Sequence, residues 1–414
     1  MTQDIDASDT INWNSGAGFA PIGNGINLFP GKFDGKGYKI TGLYINRSST
    51  NDIGLFCFID SGGEVKNLGI ENCQIIGNNY VGGLVAWNNG TVSNCYTTGT
   101  VSGNDTVSGL VCNTVGTVSS CYSTCIVSGN QFIGGLIGEN YGNVQDSYST
   151  NSVSGNYDVG GLAGLNGGTI NSCYSTGSVS GNNYGVGGLV GLNGNTVNSC
   201  YSTSLVSGNY NVGGLIGVNN NGLVVDSFAI SQVTGSGGRI GGLTGWLDGD
   251  YVLNTYSTGS VEGTGIDKGG LVGFLSGSNT VVSSYWDTQT SGMITSAAGT
   301  GKTTSEMKQQ ITFDGWDFVN VWTIIHATSY PYLRASGLPV KWISTLEQLN
   351  QIGRNTHYPL YFQYYLANDI DAGDTINWNG GAGFLPIGDN VNCFIGKLYG
   401  NGHKIIDLFI DRPG

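Results

Sequence analysis

The chain has 414 residues and a formal net charge of −13, and its 15 Lys and Arg form no basic stripe, which excludes a nucleic-acid face or an anionic-membrane face. Its 72 glycines would fit a disordered or fibrous chain if apolar content were low, but 39% of residues are hydrophobic, so a core is buried and glycine serves turns and close packing. Apolar runs are short and broken by glycine, which excludes a membrane-spanning helix in this segment, and Met1 leads into Thr-Gln-Asp with no signal peptide, so any secretion signal is expected outside this chain.

Residues 1–52 read as the opening segment of a β-helix, rich in aromatics and Asp, closing on a turn around Asp34-Gly35-Lys36-Gly37 flanked by alternating apolar residues. In residues 53–290 a Gly-Leu recurs nine times at spacings of 26 to 29 residues, at Leu55, Leu84, Leu110, Leu136, Leu162, Leu189, Leu215, Leu243 and Leu271. A unit of about 26 residues written nine times predicts a solenoid, because each unit has an apolar face that only its neighbours cover. Residues 291–338 break the period: Thr303 and Glu306 form a capping box before a short helix, and Trp316, Trp322, Tyr330 and Tyr332 cluster, which predicts a capping segment. From 339 to 414 a next tandem module starts, with Ser344 and Glu347 as a second capping box and Gly353 as a helix stop. Its Asp369-Ile370-Asp371-Ala372 to Asn377-Trp378-Asn379 repeats Asp4-Ile5-Asp6-Ala7 to Asn12-Trp13-Asn14 at an offset of 365 residues.

Aligned coils give a Val column (Val92, Val118, Val144, Ile170, Val197, Val224, Val252) and a second one (Val101, Val127, Val153, Val179, Val206, Val233, Val261), as a parallel sheet buried on its inner face requires. Asn140, Asn166, Asn193 and Asn219 mark a recurring corner. With three short strands per turn, the expected fold is all-β: a right-handed parallel β-helix of about nine coils, some 43 Å long, with small helical and aromatic caps.

Gly-Gly-Leu-Ile-Gly at 134–138, followed by Asn140, Asp146-Ser147-Tyr148-Ser149-Thr150 and Ser152-Val153-Ser154-Gly155, resembles the GLUG repeat of bacterial and archaeal surface proteins, found also in the non-catalytic region of IgA-specific metalloendopeptidases. The resemblance covers roughly residues 53–290 and implies an extracellular protein, surface-bound or secreted, used for adhesion or surface architecture.

No His-Glu-x-x-His zinc string is present, and His326, His357 and His403 all lie outside the coils. A polysaccharide lyase or hydrolase needs clustered carboxylates on one outer face, and Asp248 and Asp250 near Lys268 are the best grouping in the coils, with a solvated turn as the plainer reading. No catalytic residue is assigned and no enzyme is expected. Asp4, Asp6 and Asp9, echoed by Asp369, Asp371 and Asp374, are candidate calcium ligands, against turn and cap hydrogen bonding; no other cofactor is expected. Cys73, Cys95, Cys121, Cys173 and Cys200 share a column with Ser147, Ser227, Thr255 and Ser284 that wants a small side chain, so buried free thiols are favoured over an adjacent-rung disulfide. Tyr96, Tyr122, Tyr148, Tyr174 and Tyr201 head an aromatic ladder that makes a sugar-stacking stripe if it faces outward and core if it faces inward. Thr98, Thr124, Thr150, Thr176, Thr203, Thr258 and Thr288 stack like the array of an ice-binding solenoid, though a polar hydroxyl ladder explains them more cheaply. The reading is a non-enzymatic structural module of a long tandem-repeat surface protein that builds a fibre, filament or sheath, with a glycan-binding adhesin as its rival. Its partners are copies of itself or neighbouring modules, and surface glycans in the rival reading.

Overall fold

The computed structural model describes residues 1–150 and 152–412. The chain forms two compact units, one of residues 1–307 with 311–316, the other of residues 308–310 with 317–414.

The first unit is a right-handed parallel β-solenoid. One representative turn runs Thr117–Ser119, Tyr122–Ser123, Ile126–Ser128, Gln131–Gly134 and Ile137–Asn140. A turn thus holds five short strands where three were expected, because bends reset the chain every two to four residues. These strands stack into four all-parallel sheets of ten, nineteen, eight and nine strands, the second and third strands of the turn sharing the nineteen-stranded sheet. Register is one residue per column: Val118 pairs with Val144, Tyr122 with Tyr148, Val127 with Val153, and Asn140 with Asn166.

The nine Gly-Leu units are the nine strands of one sheet, but the solenoid is longer than nine coils. In the Tyr-bearing sheet, Ile5–Asp6 adds one rung before the nine, and Tyr285–Asp287 and Thr300–Lys302, paired with each other, add two after. These rungs lack the Gly-Leu corner, so the repeat hides them.

The first bend in each turn is built by a column of left-handed residues. Asn67, Asn94, Ser120, Asp146, Ser172, Ser199, Asp226, Asn254 and Ser283 all have φ between 46° and 53°. Asn, Asp and Ser tolerate this region through local side-chain hydrogen bonding. The bend restarts the alternation of faces: Val92 and Cys95 both point inward although they are three apart, and Tyr96 points outward.

The corner before each leucine is closed by a glycine pair. A Cβ on Gly160 would lie 1.9 Å from the Ala163 carbonyl oxygen, and one on Gly161 2.2 Å from both the Gly188 carbonyl oxygen and the Ser175 hydroxyl. The buried hydroxyls opposite this corner satisfy its carbonyls, as Thr97 Oγ1 donates to Gly109 O (2.6 Å) and Ser257 Oγ to Gly270 O (2.6 Å). The Gly-Gly of one strand and the Ser or Thr after the tyrosine of another are therefore one packing device.

Within the second unit, Val340–Ile343, Gln363–Leu366 and Lys397–Tyr399 form a parallel three-stranded sheet, and Ile370–Asp371 pairs with Ile405–Ile406. The helix Leu346–Gln351 is capped by Thr345, whose hydroxyl accepts the Gln348 amide (3.1 Å), while Gln348 reaches back to the Ser344 amide (2.8 Å). The box sits one residue later than Ser344 and Glu347 predict, since Thr345-x-x-Gln348 meets the same pattern. The Thr303 and Glu306 box forms as expected, Thr303 N donating to Glu306 Oε2 (2.8 Å).

Candidate functional surface

The tyrosine ladder faces outward, and its rings stack on one another. Centroids of Tyr96, Tyr122, Tyr148, Tyr174 and Tyr201 follow at 4.8 to 5.0 Å with interplanar angles of 2° to 5°. Tyr96 to Tyr174 are half-buried, and from Tyr201 through Phe228 and Tyr256 the column is buried. Phe313 and Trp316 of the same unit pack over Tyr256 and Tyr285. Each ring face within the row meets the next ring, so a sugar meets ring edges and hydroxyls instead of open faces. Tyr96 Oη donates to Glu71 Oε1 (2.8 Å), and the other oxygen, Oε2, pairs with Lys39 (2.8 Å); burial first, then that carboxylate, raises the phenol far above its ordinary range.

A second aromatic column escapes the repeat reading because it is only three residues long. Tyr157, Tyr184 and Tyr210 are 38%, 51% and 41% exposed, with centroids 6.3 and 5.5 Å apart. Beside it runs a partly exposed amide row, Asn182 Nδ2 donating to Asn156 Oδ1 (2.8 Å) and Asn156 Nδ2 to Asn130 Oδ1 (2.9 Å). Next to Tyr157, burial pushes the Asp158 carboxyl up to about 6, partly offset by Gln131.

The folded pKa of Asp158 lies above the unfolded value near 4, so the native state binds the extra proton. This contribution is fully present below pH ~4 and is lost as pH rises through about 6. Asp158→Asn is therefore expected to raise the unfolding temperature at pH 7 and to flatten its rise on acidification from pH 7 to 4.5. Thermal unfolding followed by circular dichroism at both pH values checks it.

The acidic candidates are engaged in turns. Asp6 Oδ1 accepts the Ser8 amide (2.9 Å), Asp9 accepts Asn12 Nδ2 (2.9 Å) and Trp13 Nε1 (3.3 Å), and Asp4 accepts the Lys39 amide (3.0 Å). Asp371 and Asp369 repeat these roles toward the Gly373 and Lys404 amides, and Asp374 stands in the first turn of the second 3-10 segment. Among the described residues no three Asp, Glu, His or Cys converge as a metal site.

Asp248, Asp250 and Lys268 do not assemble either. Asp250 is buried and accepts the Gly222 (2.9 Å) and Asp248 (2.5 Å) amides, and burial lifts its carboxyl to about 6. Lys268 Nζ instead donates to Gly263 O (2.9 Å). Thr176 and Thr258 of the threonine column bury their hydroxyl oxygens, so this row presents no continuous wet hydroxyl face.

Asp250 ends a buried amide ladder. Asn140 Nδ2 donates to Asn166 Oδ1 (2.7 Å), Asn166 to Asn193 (2.7 Å) and Asn193 to Asn219 (2.5 Å), and the Oδ1 atoms of Asn140 and Asn166 also accept the Gly142 and Gly168 amides. Cys73 falls outside the cysteine column, since it pairs with Gly99 while Gly69 pairs with Tyr96, and the column itself has a polar purpose beyond size. Cys95 N donates to Cys121 Sγ (3.4 Å) and Cys121 N to Ser147 Oγ (3.1 Å), while each Sγ or Oγ donates to the carbonyl two residues earlier. These thiols are free and buried, and Cys393 is free and exposed.

Among the described residues no helix is long and apolar enough to cross a membrane. The GLUG motif matches at residues 77–102. Halomucin of Haloquadratum walsbyi is 43% identical over 107 residues, 25% of this chain and 1% of that protein. A protein of Evansella cellulosilytica provisionally described as a Gly-rich membrane protein is 39% identical over 97 residues, 23% of this chain and 11% of that one. The chain thus spans only a small fraction of either relative. A solved structure from Bacteroides ovatus, provisionally described as an immunoglobulin A1 protease, aligns with 80% of this chain and 84% of its own at TM-score 0.35 and 20% identity. Residues 77–102, which match the GLUG motif, lie within the parallel β-solenoid.

Proposed function

We propose that this chain is a non-enzymatic structural module of an extracellular repeat protein, in which solenoids follow one another and build a fibre or sheath at the cell surface. The observation that carries the reading is the restart. Ser8–Gly16 and Gly373–Gly381 are the same kinked 3-10 segment, with Trp13 and Trp378 at φ −80° and −81° and Asn14 and Asn379 at φ 51° and 54°. A chain that begins a second solenoid with the conformation of the first is a tandem array, and stacking makes each member a stiff rod. The similarity to halomucin, by its name a mucin-like protein, supports a surface setting. Antibody raised to the folded chain is expected to label intact, unpermeabilised cells; labelling only after permeabilisation contradicts the reading.

The rival reading, a glycan-binding adhesin, is favoured by the exposed Tyr157, Tyr184 and Tyr210 column. It predicts that Tyr184→Ala, on an exposed ring, removes sugar binding while leaving the fold intact. For the half-buried ladder, Tyr148→Ala with Tyr174→Ala is expected to cost about 2 kcal/mol of stability through lost stacking and burial, measured by chemical unfolding. A polysaccharide panel on wild type and Tyr184→Ala separates the two readings.

A further inference from the structure

The first unit's solenoid is open at its beginning. Lys32–Asp34 is the edge strand of the ten-stranded sheet, paired only with Glu64–Lys66. Beside it lies a cavity of about 240 Å³, lined by Ile5, Trp13, Phe19, Phe33, Ile40 and Leu43 among others. Ile5 is 45% exposed and Trp13 46% exposed there.

The chain contains a second copy of this end, 365 residues later, and there it is closed. Lys397–Tyr399, the counterpart of Lys32–Asp34, pairs on its outer side with Gln363–Leu366, which pairs in turn with Val340–Ile343. The amides of Gly396 and Lys397 donate to the carbonyls of Leu360 (2.8 Å) and Phe362 (3.1 Å), and Tyr365 stacks on Tyr399 at 4.5 Å. Arg354 donates to the carbonyls of Leu385 (2.6 Å) and Pro386 (2.8 Å), the counterparts of Ala20 and Pro21. Ile370, the counterpart of Ile5, is 2% exposed, and Phe384, the counterpart of Phe19, is buried where Phe19 is half-buried.

Glycine usage agrees. A Cβ on Gly396 would lie 2.2 Å from the Phe362 carbonyl oxygen, so close strand approach demands glycine there. Its counterpart Gly31 has only the Phe29 ring near, at 3.2 Å. Gly31 leaves room for a neighbour of the kind Gly396 has.

We infer that the open edge and apolar end formed by Ile5, Trp13, Phe19 and Lys32–Asp34 are a docking surface for the lead-in segment Pro339–Tyr365 of a second copy of this module, added as parallel strands with the helix Leu346–Gln351 closing the core. Edge addition supplies backbone hydrogen bonds, and the covered apolar cavity supplies the affinity. Register follows the internal copy, with Gln363 of the incoming segment opposite Lys32 and Tyr365 opposite Asp34. The inference deepens the tandem-array reading by naming its joint.

Two measurements on the full chain test it. A synthetic peptide of residues 339–365 is expected to bind saturably, and either Leu349→Asp in the peptide or Ile5→Asp in the chain is expected to weaken binding at least about tenfold. Equal binding by either variant overturns the proposal. In the second, residues 339–365 are fused ahead of Met1, which removes any demand on the affinity of a free peptide. The Gly31 and Lys32 amides, counterparts of Gly396 and Lys397, are then expected to exchange with solvent at least about tenfold more slowly than in the unfused chain. Unchanged exchange overturns the docking surface whether or not the free peptide binds. Surface labelling is independent of both results, so failure of the joint and failure of the array reading are distinguishable.

Discussion

Gly160→Ala is expected to destabilise the solenoid by more than about 4 kcal/mol, although it adds a single methyl group and the position has no left-handed backbone. The added carbon would sit 1.9 Å from the Ala163 carbonyl oxygen and 2.7 Å from the Gly191 amide nitrogen, both backbone atoms held by the ladder. Backbone cannot rotate away as a side chain does, so the third and fourth sheets must separate at this corner. The same first glycine recurs at Gly134, Gly187, Gly213 and Gly241, each with a carbonyl within 2.0 Å of a built Cβ, so the strain cannot relax into a looser neighbouring rung. Gly62→Ala is the control: nothing lies within 4 Å of its Cβ, and its effect is expected within about 0.5 kcal/mol. Urea unfolding and soluble yield compare the two. Equal stability of the two variants removes the glycine corner as the reason for the repeat.

Asn166→Ala is expected to cost about 3 kcal/mol. Asn166 accepts from Asn140 and from the Gly168 amide, and donates to Asn193 Oδ1 (2.7 Å) and to Thr196 O (3.1 Å), all in a fully buried corner. Removing it strands a donor on the rung below and an acceptor on the rung above, and a buried unpaired group costs more than a lost bond gains. Nearest-neighbour coupling along a solenoid carries the damage axially. Amides of the Asn140 and Asn193 rungs should therefore exchange faster than those of distant rungs such as Val252. A loss confined to Asn166 itself, or a loss below about 1 kcal/mol, contradicts a cooperative ladder.

These two predictions mark what was legible in the sequence. The Val columns, the Gly-Gly-Leu corner and the stacked asparagines are each repeated nearly every coil, so chemistry and period point to one parallel solenoid, and the register that follows, Val118 on Val144 and Asn140 on Asn166, is the observed one. The number of strands per turn was hidden because a left-handed residue such as Asn94 or Ser120 ends a strand without Gly or Pro to mark it. Rungs at Ile5–Asp6, Tyr285–Asp287 and Thr300–Lys302 were hidden because they close without the Gly-Leu corner. The direction of the tyrosine ladder turned on that same bend, and period-two reasoning fails across it. The Cys and Ser column was read as a demand for small volume, whereas the side chain also bridges an amide of the preceding rung and its own upstream carbonyl. A pattern of Cys, Ser and Thr without Ala is the signal for that second demand. The open first rung became visible only by setting Ile5 beside Ile370, since identical residues that differ in exposure report a missing neighbour.

Electron microscopy of a chain carrying two complete 365-residue modules tests the central claim most directly. Twelve stacked rungs give each solenoid a length of about 58 Å at ~4.8 Å per rung. The account predicts particles that lengthen by a constant increment of at least that length with each added module, keep one width, and form a linear rod. Two-module particles that instead collapse to compact forms, or that show solenoids joined at random angles by a flexible tether, contradict it.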